Sequence, residues 1–188
     1  MGTWNSRGLR GSQLEELLNQ TVESYRLRGL ALIQKVPTPI TPINMNKDHT
    51  QITLAYFNQK STVDYIGVVQ GIPVCFDAKE SAKETWPLKN LHPHQIAFMK
   101  EFEEQGGISF IVLCFTGMNE SYYVPFRDVY RFWQRMLGGG RKSFRLSELD
   151  RRYQIRSHKD MFLHFLEPLQ LDLCERDTQQ HSGQEALP

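Results

Sequence analysis

The sequence predicts a single α/β domain in which helices flank a mixed β-sheet. Its 188 residues are 40% apolar and 23% charged, an ordinary composition that supports one domain with a real core. Amphipathic helical patterns alternate with short β-rich runs, in the order helix, strand, hairpin, helix, two strands and helix. This alternation predicts a mixed sheet with helices on its faces.

The helix ends are marked by residues that favour them. Ser12 and Glu15 form a capping-box pattern, which predicts the start of an amphipathic helix that reaches about Leu27, with Gly29 as its stop. Pro93 suits the first position of a second helix. Further helices are expected near 129–136 and 162–171.

The predicted strands differ in environment. Residues 108–115 are apolar at almost every position, which predicts a strand buried on both faces. Residues 35–42 hold three prolines, at positions 37, 39 and 42, and proline cannot donate to a ladder. We therefore expect a stalk over about 36–56 that projects away from the core.

A tight hairpin is predicted where two β-rich runs flank Gln70-Gly71, because glycine tolerates the positive φ that such a turn requires. With a two-residue turn, the register places Asp64 opposite Asp77, and Lys79 shares their face. Facing carboxylates repel each other, so a cation such as Lys79 or a divalent metal is expected beside them. A chance surface cluster on an edge hairpin is the alternative.

Positive charge is concentrated in one part of the chain, although the net charge is only +1. Residues 127–160 contain ten Lys or Arg against four Asp or Glu, whereas 167–188 contain five acidic residues and one arginine. The basic body permits phosphate binding. We expect a flexible arm over 1–11, a domain over 12–174 and a disordered tail over 175–188.

Nothing in the sequence indicates a membrane or an oxidising compartment. No apolar run approaches the ~20 residues that span a bilayer, and the N-terminus lacks the apolar segment of a signal peptide. The three cysteines have no Cys-x-x-Cys spacing, so neither a disulfide framework nor a thiolate zinc site is indicated. A reducing cytoplasm fits best.

The hairpin carries the residue types that a metal-dependent phosphodiesterase needs. Asp64, Asp77 and the carbonyl of Ala78 can bind a divalent cation, which stabilises charge on phosphate oxygens. Lys79 can polarise the attacking water or neutralise the developing charge. Such spacings also arise by chance, so the pattern alone is weak.

The chain resembles the RecU Holliday-junction resolvases, which belong to the PD-(D/E)xK nuclease superfamily. The resemblance rests on Ser61-Thr62-Val63-Asp64-Tyr65, Phe76-Asp77-Ala78-Lys79-Glu80, the stretch from Pro87 to Gln95, Arg141-Lys142-Ser143 and, upstream, Arg7-Gly8, Leu14-Glu15 and Pro37-Thr38-Pro39. It implies a restriction-endonuclease-like core and a homodimeric endonuclease that requires Mg²⁺ or Mn²⁺. Such an enzyme makes paired nicks in a four-way DNA junction during recombination and repair. The segment over about 36–56 matches the family's stalk, which enters the junction.

The resemblance also assigns roles to individual residues. Asp64, Asp77 and the Ala78 carbonyl become metal ligands, and Lys79 becomes the catalytic lysine. Three more residues join the site, each with an ordinary alternative: Glu15 as the capping-box partner of Ser12, Gln95 as a first-turn helix residue, and Thr62 as a strand threonine. Glu80 is expected on the opposite face of the sheet. His92 and His94 are better explained as helix-start or DNA-proximal residues, since no third nitrogen or sulfur ligand is near.

Contacts with DNA phosphates are expected from basic side chains: Arg7, Lys35, Lys60, Arg141, Lys142 and Arg145. A recombinase is a candidate protein partner, and a nucleoid-associated, cytoplasmic location follows.

Three positions depart from the family pattern: Ser6 replaces a common asparagine, Asp77 replaces a common glutamate, and the stalk tip over 46–49 is less basic. Two rival functions are a catalytically weak module that binds DNA or a protein, and another PD-(D/E)xK DNA endonuclease.

Overall fold

The described residues, 10–57, 62–158 and 161–184 of a computed structural model, form four α-helices and eleven strands. The helices are α1 (Arg10–Leu27), α2 (Pro93–Glu104), α3 (Phe126–Leu137) and α4 (Leu166–Gln184). The strands are β1 (Ala31–Lys35), β2 (Ile40–Met45), β3 (Ile52–Phe57), β4 (Tyr65–Val69), β5 (Ile72–Ser81), β6 (Thr85–Pro87), β7 (Ile108–Phe115), β8 (Glu120–Pro125), β9 (Ser143–Arg145), β10 (Gln154–His158) and β11 (Met161–His164).

Seven strands form one mixed sheet in the order β1-β4-β5-β7-β8-β10-β11. Strands β5 and β7 run parallel, and the other neighbouring pairs are antiparallel. Strand β7 is buried at every position, as its apolar run predicts. The predicted α/β class, with a mixed sheet flanked by helices, is therefore confirmed.

The two faces of the sheet pack against different helices. One apolar cluster joins the sheet to α1 and α4, and the other joins it to α2 and α3. Strand β5 contributes to both, because its side chains alternate: Val74 and Phe76 enter the first cluster and Cys75 enters the second. This central strand carries the candidate catalytic residues.

A row of aromatic rings fixes the register of the central strands. Tyr65, Phe76, Phe110 and Tyr123 lie on four successive strands, with centroids 4.8, 4.7 and 4.3 Å apart in that order. Neighbouring aromatic side chains on one face of a sheet stabilise its pairing. The row lies on the face covered by α1 and α4, so α2 approaches the opposite face.

Helix boundaries match the predictions where local signals are strong. Gly29 follows α1 with a positive φ of 66°, and Pro93 opens α2 as expected. Helix α1, however, begins at Arg10, so Ser12 lies inside it and the capping-box prediction is wrong. Serine is tolerated within a helix, and a capping pattern therefore marks a possible start without requiring one.

The C-terminal part differs from the prediction in two respects. Met161 and Leu163 are buried while Phe162 is exposed, and this period of two belongs to strand β11 rather than to the start of a helix. Helix α4 begins at Leu166 and continues to Gln184, so the chain is helical over much of the tail that was expected to be disordered from Glu175.

A buried ionic network anchors that part of α4. Asp172 is fully buried; it accepts hydrogen bonds from the Tyr123 hydroxyl at 2.7 Å and from Arg176 Nε at 3.0 Å, and it pairs with Arg127. Arg176 also pairs with Glu103 in the last turn of α2, at 2.8 Å. These contacts fix α4 against β8, α2 and α3 and explain why its polar sequence is ordered.

The predicted stalk forms a separate hairpin. Strands β2 and β3 make a two-stranded sheet of their own, and most of their residues are exposed. At the tip, Asn46 Oδ1 accepts hydrogen bonds from the amides of Thr50 at 2.8 Å and Gln51 at 3.1 Å. None of the described helices is long and apolar enough to cross a membrane.

Replacing Asp172 tests the buried network. Asp172→Ala removes the shared partner of Arg127 and Arg176, and we expect it to lower the free energy of unfolding by about 3 kcal/mol, the usual cost of breaking a buried ion pair. Urea unfolding followed by circular dichroism measures this. Glu104→Ala, which breaks the exposed pair with Lys100, serves as the control and should cause no comparable loss. Equal stabilities for the two variants would contradict the role of the network.

Candidate active site

The central hairpin has the predicted register. Val69 pairs with Ile72, and the ladder continues to Tyr65 opposite Phe76. The turn residues Gln70 and Gly71 both have positive φ, 46° and 91°, which a two-residue hairpin turn favours. The hairpin prediction is confirmed.

The register brings the two carboxylates together at the start of β4. Asp64 lies one residue before that strand, and its amide donates a hydrogen bond to Asp77 Oδ1 at 2.9 Å. The amide of Ala78 donates in turn to Asp64 Oδ2 at 2.9 Å. Each carboxylate is thus held by a main-chain amide of the neighbouring segment, so its position follows from strand pairing.

Lys79 provides the compensating positive charge. Its Nζ lies 3.3 Å from Asp64 Oδ2 and 3.2 Å from Asp77 Oδ2. The expectation that a cation accompanies the facing carboxylates is confirmed for this lysine. The three side chains also differ in exposure, since Asp77 is fully buried whereas Asp64 and Lys79 retain 29% and 20% of their side-chain exposure. Solvent and substrate can therefore reach the group from the side of Asp64.

Burial and neighbouring charge shift the ionisation of this group. Burial raises the pKa of Asp77 to about 6; Lys79 opposes the shift and Asp64 adds to it. Burial by itself lowers the pKa of Lys79, but the charges of Asp77 and Asp64 outweigh it, and the net pKa is raised. Lys79 is therefore protonated at neutral pH.

Gln95 connects this group to helix α2. Its Nε2 donates to Asp77 Oδ2 at 2.6 Å, and its Oε1 accepts the amide hydrogen of His92 at 3.1 Å. His92 is the N-cap of α2, so Gln95 satisfies a free amide at the helix start and orients the buried carboxylate at once. His92 and His94 have stacked rings, with centroids 5.4 Å apart, at the start of this helix.

The donor set fits a hard divalent cation. Among the described residues, no three His, Cys, Asp or Glu side chains form a group that could hold a metal ion. The candidate centre therefore has two carboxylates, whose combined charge exceeds that of Lys79. Mg²⁺ is commonly held by one or two carboxylates together with waters and substrate phosphates. Thr62 lies half-buried two residues before Asp64, and the carbonyl of Ala78 belongs to the same stretch of β5 as Asp77.

Three other acidic or basic candidates lie outside this group. The carboxylate of Glu15 forms an ion pair with Lys35 at the end of β1. Glu15, expected in the active site, and Lys35, expected to contact DNA phosphates, are therefore partners of each other. The Tyr65 hydroxyl donates to Asn19 at 2.9 Å and fixes this part of α1 to β4. Glu80 lines a separate cavity of about 240 Å³ beside α1, which agrees with its predicted position on the opposite face.

The candidate DNA-contacting residues are divided among several places. Arg7 and Lys60 lie outside the described residues. Arg141 is 3.3 Å from Glu148, whereas Lys142 and Arg145 are exposed beside the short strand β9. Strand β9 pairs with β6, the strand that precedes α2 in the chain.

Sequence reasoning did not identify the two main-chain amides that orient the carboxylates. An amide carries no side-chain signal, and its direction depends on the strand register and on how β4 begins. The second contact of Gln95 could have been anticipated, because a glutamine at the third helical position after an N-cap is part of the capping-box pattern.

Gln95→Ala tests the connection between α2 and Asp77. It leaves a buried carboxylate without one of its donors, and we expect the free energy of unfolding to fall by about 1–3 kcal/mol. Urea unfolding in a chelator, without metal or DNA, measures the change. Gln105→Ala, an exposed substitution just beyond the end of α2, is the matched control. Unchanged stability of the Gln95 variant would show that this hydrogen bond does not stabilise the site.

Comparison with known proteins identifies the family. The family model described as "RecU: Recombination protein U" matches residues 9–171. The Holliday junction resolvase RecU of Geobacillus sp. (strain WCH70) is 43% identical over 148 residues, which cover 77% of this chain and 74% of that protein. The Holliday junction resolvase RecU of Listeria welshimeri is 40% identical over 146 residues, which cover 76% of this chain and 73% of that protein.

The structural likeness to solved proteins is weaker. Hjc, a Holliday junction resolvase from Archaeoglobus fulgidus, matches 63% of this chain and 74% of its own, with 10% identity and a TM-score of 0.38. The family model covers residues 9–171, and both RecU relatives are at least 40% identical over about three quarters of the chain. The chain belongs to the RecU family.

Proposed function

We propose that this chain is a metal-dependent, structure-selective endodeoxyribonuclease that resolves four-way DNA junctions by paired nicks during recombination and repair. The observation that carries the proposal is the group formed by Asp64, Asp77 and Lys79 at one end of the sheet, in a chain of the RecU family. The relatives described above are named Holliday junction resolvases.

The proposed metal is Mg²⁺, with Mn²⁺ as a substitute. Asp64, Asp77 and the carbonyl of Ala78 would hold it, with Thr62 in the surrounding shell. A bound divalent cation supplies Lewis-acid stabilisation of charge on phosphate oxygens and lowers the pKa of a bound water. Gln95 keeps the buried Asp77 carboxylate in one orientation, so its second oxygen is fixed before substrate arrives.

The ionisation of Lys79 defines its proposed role. Because its pKa is raised, its ammonium group is a hydrogen-bond donor and a positive charge rather than a general base. It would therefore orient the attacking water and offset negative charge on the phosphate. Glu15 would act from the edge of the site through Lys35, the residue with which its carboxylate pairs.

The remaining basic residues and the stalk would hold DNA. Lys142 precedes β9 and Arg145 ends it, both with exposed side chains, and Arg7, Lys35, Lys60 and Arg141 complete the proposed phosphate contacts. The stalk hairpin over 40–57 would enter the centre of the junction. Selectivity would come from the shape and flexibility of the branch point rather than from base edges.

A homodimer is part of the proposal. One active site cuts one strand, and symmetric resolution of a junction needs two sites related by a twofold axis. The stalk supports association, since it exposes seven large apolar side chains: Ile40, Ile43, Met45, Ile52, Leu54, Tyr56 and Phe57. Exposed apolar patches of this kind mark interaction sites. A recombinase as a further partner and a nucleoid-associated, cytoplasmic location complete the proposal.

One observation favours a second candidate, a DNA-binding or partner-binding module with weak catalysis. The described part of the chain offers two carboxylates near Lys79 and no third metal-ligating side chain with them. The two candidates differ in a single experiment, incubation of a four-way junction with a mobile core with and without Mg²⁺. Paired nicks that need the metal support the nuclease, and binding without cutting in either Mg²⁺ or Mn²⁺ supports the module.

Asp77→Asn tests the catalytic assignment. The substitution keeps the size of the side chain but removes a metal-binding charge, and we expect junction cleavage to fall by at least about 100-fold, since even outer-shell changes at metal sites cost 10–100-fold. Gel analysis of labelled strands measures the rate. The exposed Glu101→Gln on α2 is the control and should cleave normally. Full activity of the Asp77 variant would show that the site is misassigned.

Metal binding has a readout that does not depend on activity. A ligand that binds only the folded state stabilises it, by about 2.7 kcal/mol at a concentration 100 times its Kd. We expect Mg²⁺ to raise the thermal unfolding temperature of the chain relative to a chelator, and Asp77→Asn to abolish most of that rise. The Glu101→Gln protein should respond to Mg²⁺ like the unmodified chain. An equal response of all three proteins would place the metal elsewhere.

A further inference from the structure

The acidic residues of the fold neutralise only part of its most basic region. Of the ten Lys and Arg between 127 and 160, five form ion pairs: Arg127, Arg131, Arg135, Arg141 and Arg152. Lys159 lies outside the described residues. The other four form no ion pair with any described residue: Lys142, Arg145, Arg151 and Arg156. The uncompensated charge thus falls into two places, the β9 strand already described and the segment from Arg151 to Arg156.

Arg151 and Arg156 line one cavity of about 400 Å³ between β10 and the start of α4. We call it the arginine pocket; its lining comprises Arg151, Arg152, Gln154, Arg156, Glu167, Pro168 and Leu171. Arg152 is already held by Asp150 at 2.6 Å and by Glu175 at 2.8 Å. Glu167 is the acidic member; it is 66% exposed and lies 3.9 Å from His164. Two unpaired guanidinium groups therefore face one solvated carboxylate.

Strand register gives the position of the pocket relative to the candidate active site. Ile155 is aligned with Ser121, Ser121 with Cys114, and Cys114 with Glu80, the residue after Lys79. Arg156 therefore lies at the same end of the sheet as Lys79. Strands β5, β7, β8 and β10 are consecutive, so three strand spacings, ~14 Å in total, separate β5 from β10 within the sheet. The pocket itself lies on the side of the sheet that is covered by α4.

We propose that the arginine pocket binds the phosphodiester backbone of a DNA segment adjacent to the one held at Asp64, Asp77 and Lys79. This inference rests on the proposed nuclease function. Guanidinium groups form paired hydrogen bonds with phosphate oxygens, and such contacts position DNA without reading its sequence. DNA bound at the active site brings its phosphates to this end of the sheet. Arg151 lies close enough to Tyr122 to interact with it electrostatically, but neither Arg151 nor Arg156 forms an ion pair with a described residue.

The test removes both unpaired charges together. The variant Arg151→Gln/Arg156→Gln is compared with Arg26→Gln/Arg131→Gln, which loses the same charge at exposed arginines that are paired with acids of their own helices. Fluorescence anisotropy in a chelator measures the Kd for a four-way junction over a series of salt concentrations. The arginine-pocket variant should bind roughly tenfold more weakly, with a salt slope lower by about 2, or about 1 per lost contact. The control should retain the slope of the unmodified chain.

The outcomes separate this proposal from the proposed function. Cleavage by the arginine-pocket variant at saturating junction and Mg²⁺ should remain normal, because its catalytic residues are intact. A salt slope equal to that of the unmodified chain, or an equal loss in both double variants, would overturn the proposal. Binding of inorganic phosphate in the pocket without any change in the DNA slope would also overturn it. Failure of the unmodified chain to cut junctions would instead contradict the nuclease function, and the binding comparison would stand by itself.

Discussion

The contact between two carboxylates determines much of this structure. Asp64 and Asp77 are directly linked, since the amide of one donates to the side chain of the other. Like charges facing each other in a sheet are destabilising. The fold supplies Lys79 between them, the Ala78 amide on one side and Gln95 on the other. A buried carboxylate with a raised pKa is retained where stability alone would favour an apolar residue, which is typical of functional sites.

The architecture around this group separates stabilising from functional contacts. The face covered by α1 and α4 carries the aromatic row that fixes the strands, whereas the opposite face receives α2 and, with it, Gln95. Because β5 is packed on both faces, its backbone is held firmly while Lys79 reaches the partly open end of the sheet. Such a division lets a group of hydrogen-bonded and paired charges persist beside an otherwise apolar core.

Elsewhere in the described structure, acidic residues likewise pair with nearby basic residues and leave some basic residues without an ion pair. In the interior, the buried Asp172 forms ion pairs with Arg127 and Arg176. Near the surface, Glu148 forms ion pairs with Arg135 and Arg141. These pairings leave unpaired basic residues near β9 and in the arginine pocket. The distribution explains how a chain with a net charge of +1 can present basic surfaces to a polyanion.

The sequence by itself determined the features that depend on neighbouring residues. A two-residue turn sets the hairpin register, so the meeting of Asp64, Asp77 and Lys79 followed from chain positions alone, as did the start of α2 at Pro93. Only the tertiary structure decided the features that depend on distant partners. Glu15 meets Lys35, Asp172 meets Tyr123 and Arg127, and residues 161–164 become a strand because β10 lies beside them. Local periodicity cannot report such contacts, because the free energy that fixes them comes from elements far apart in the chain. The carboxylate hairpin was therefore readable from the sequence, and its surroundings were not.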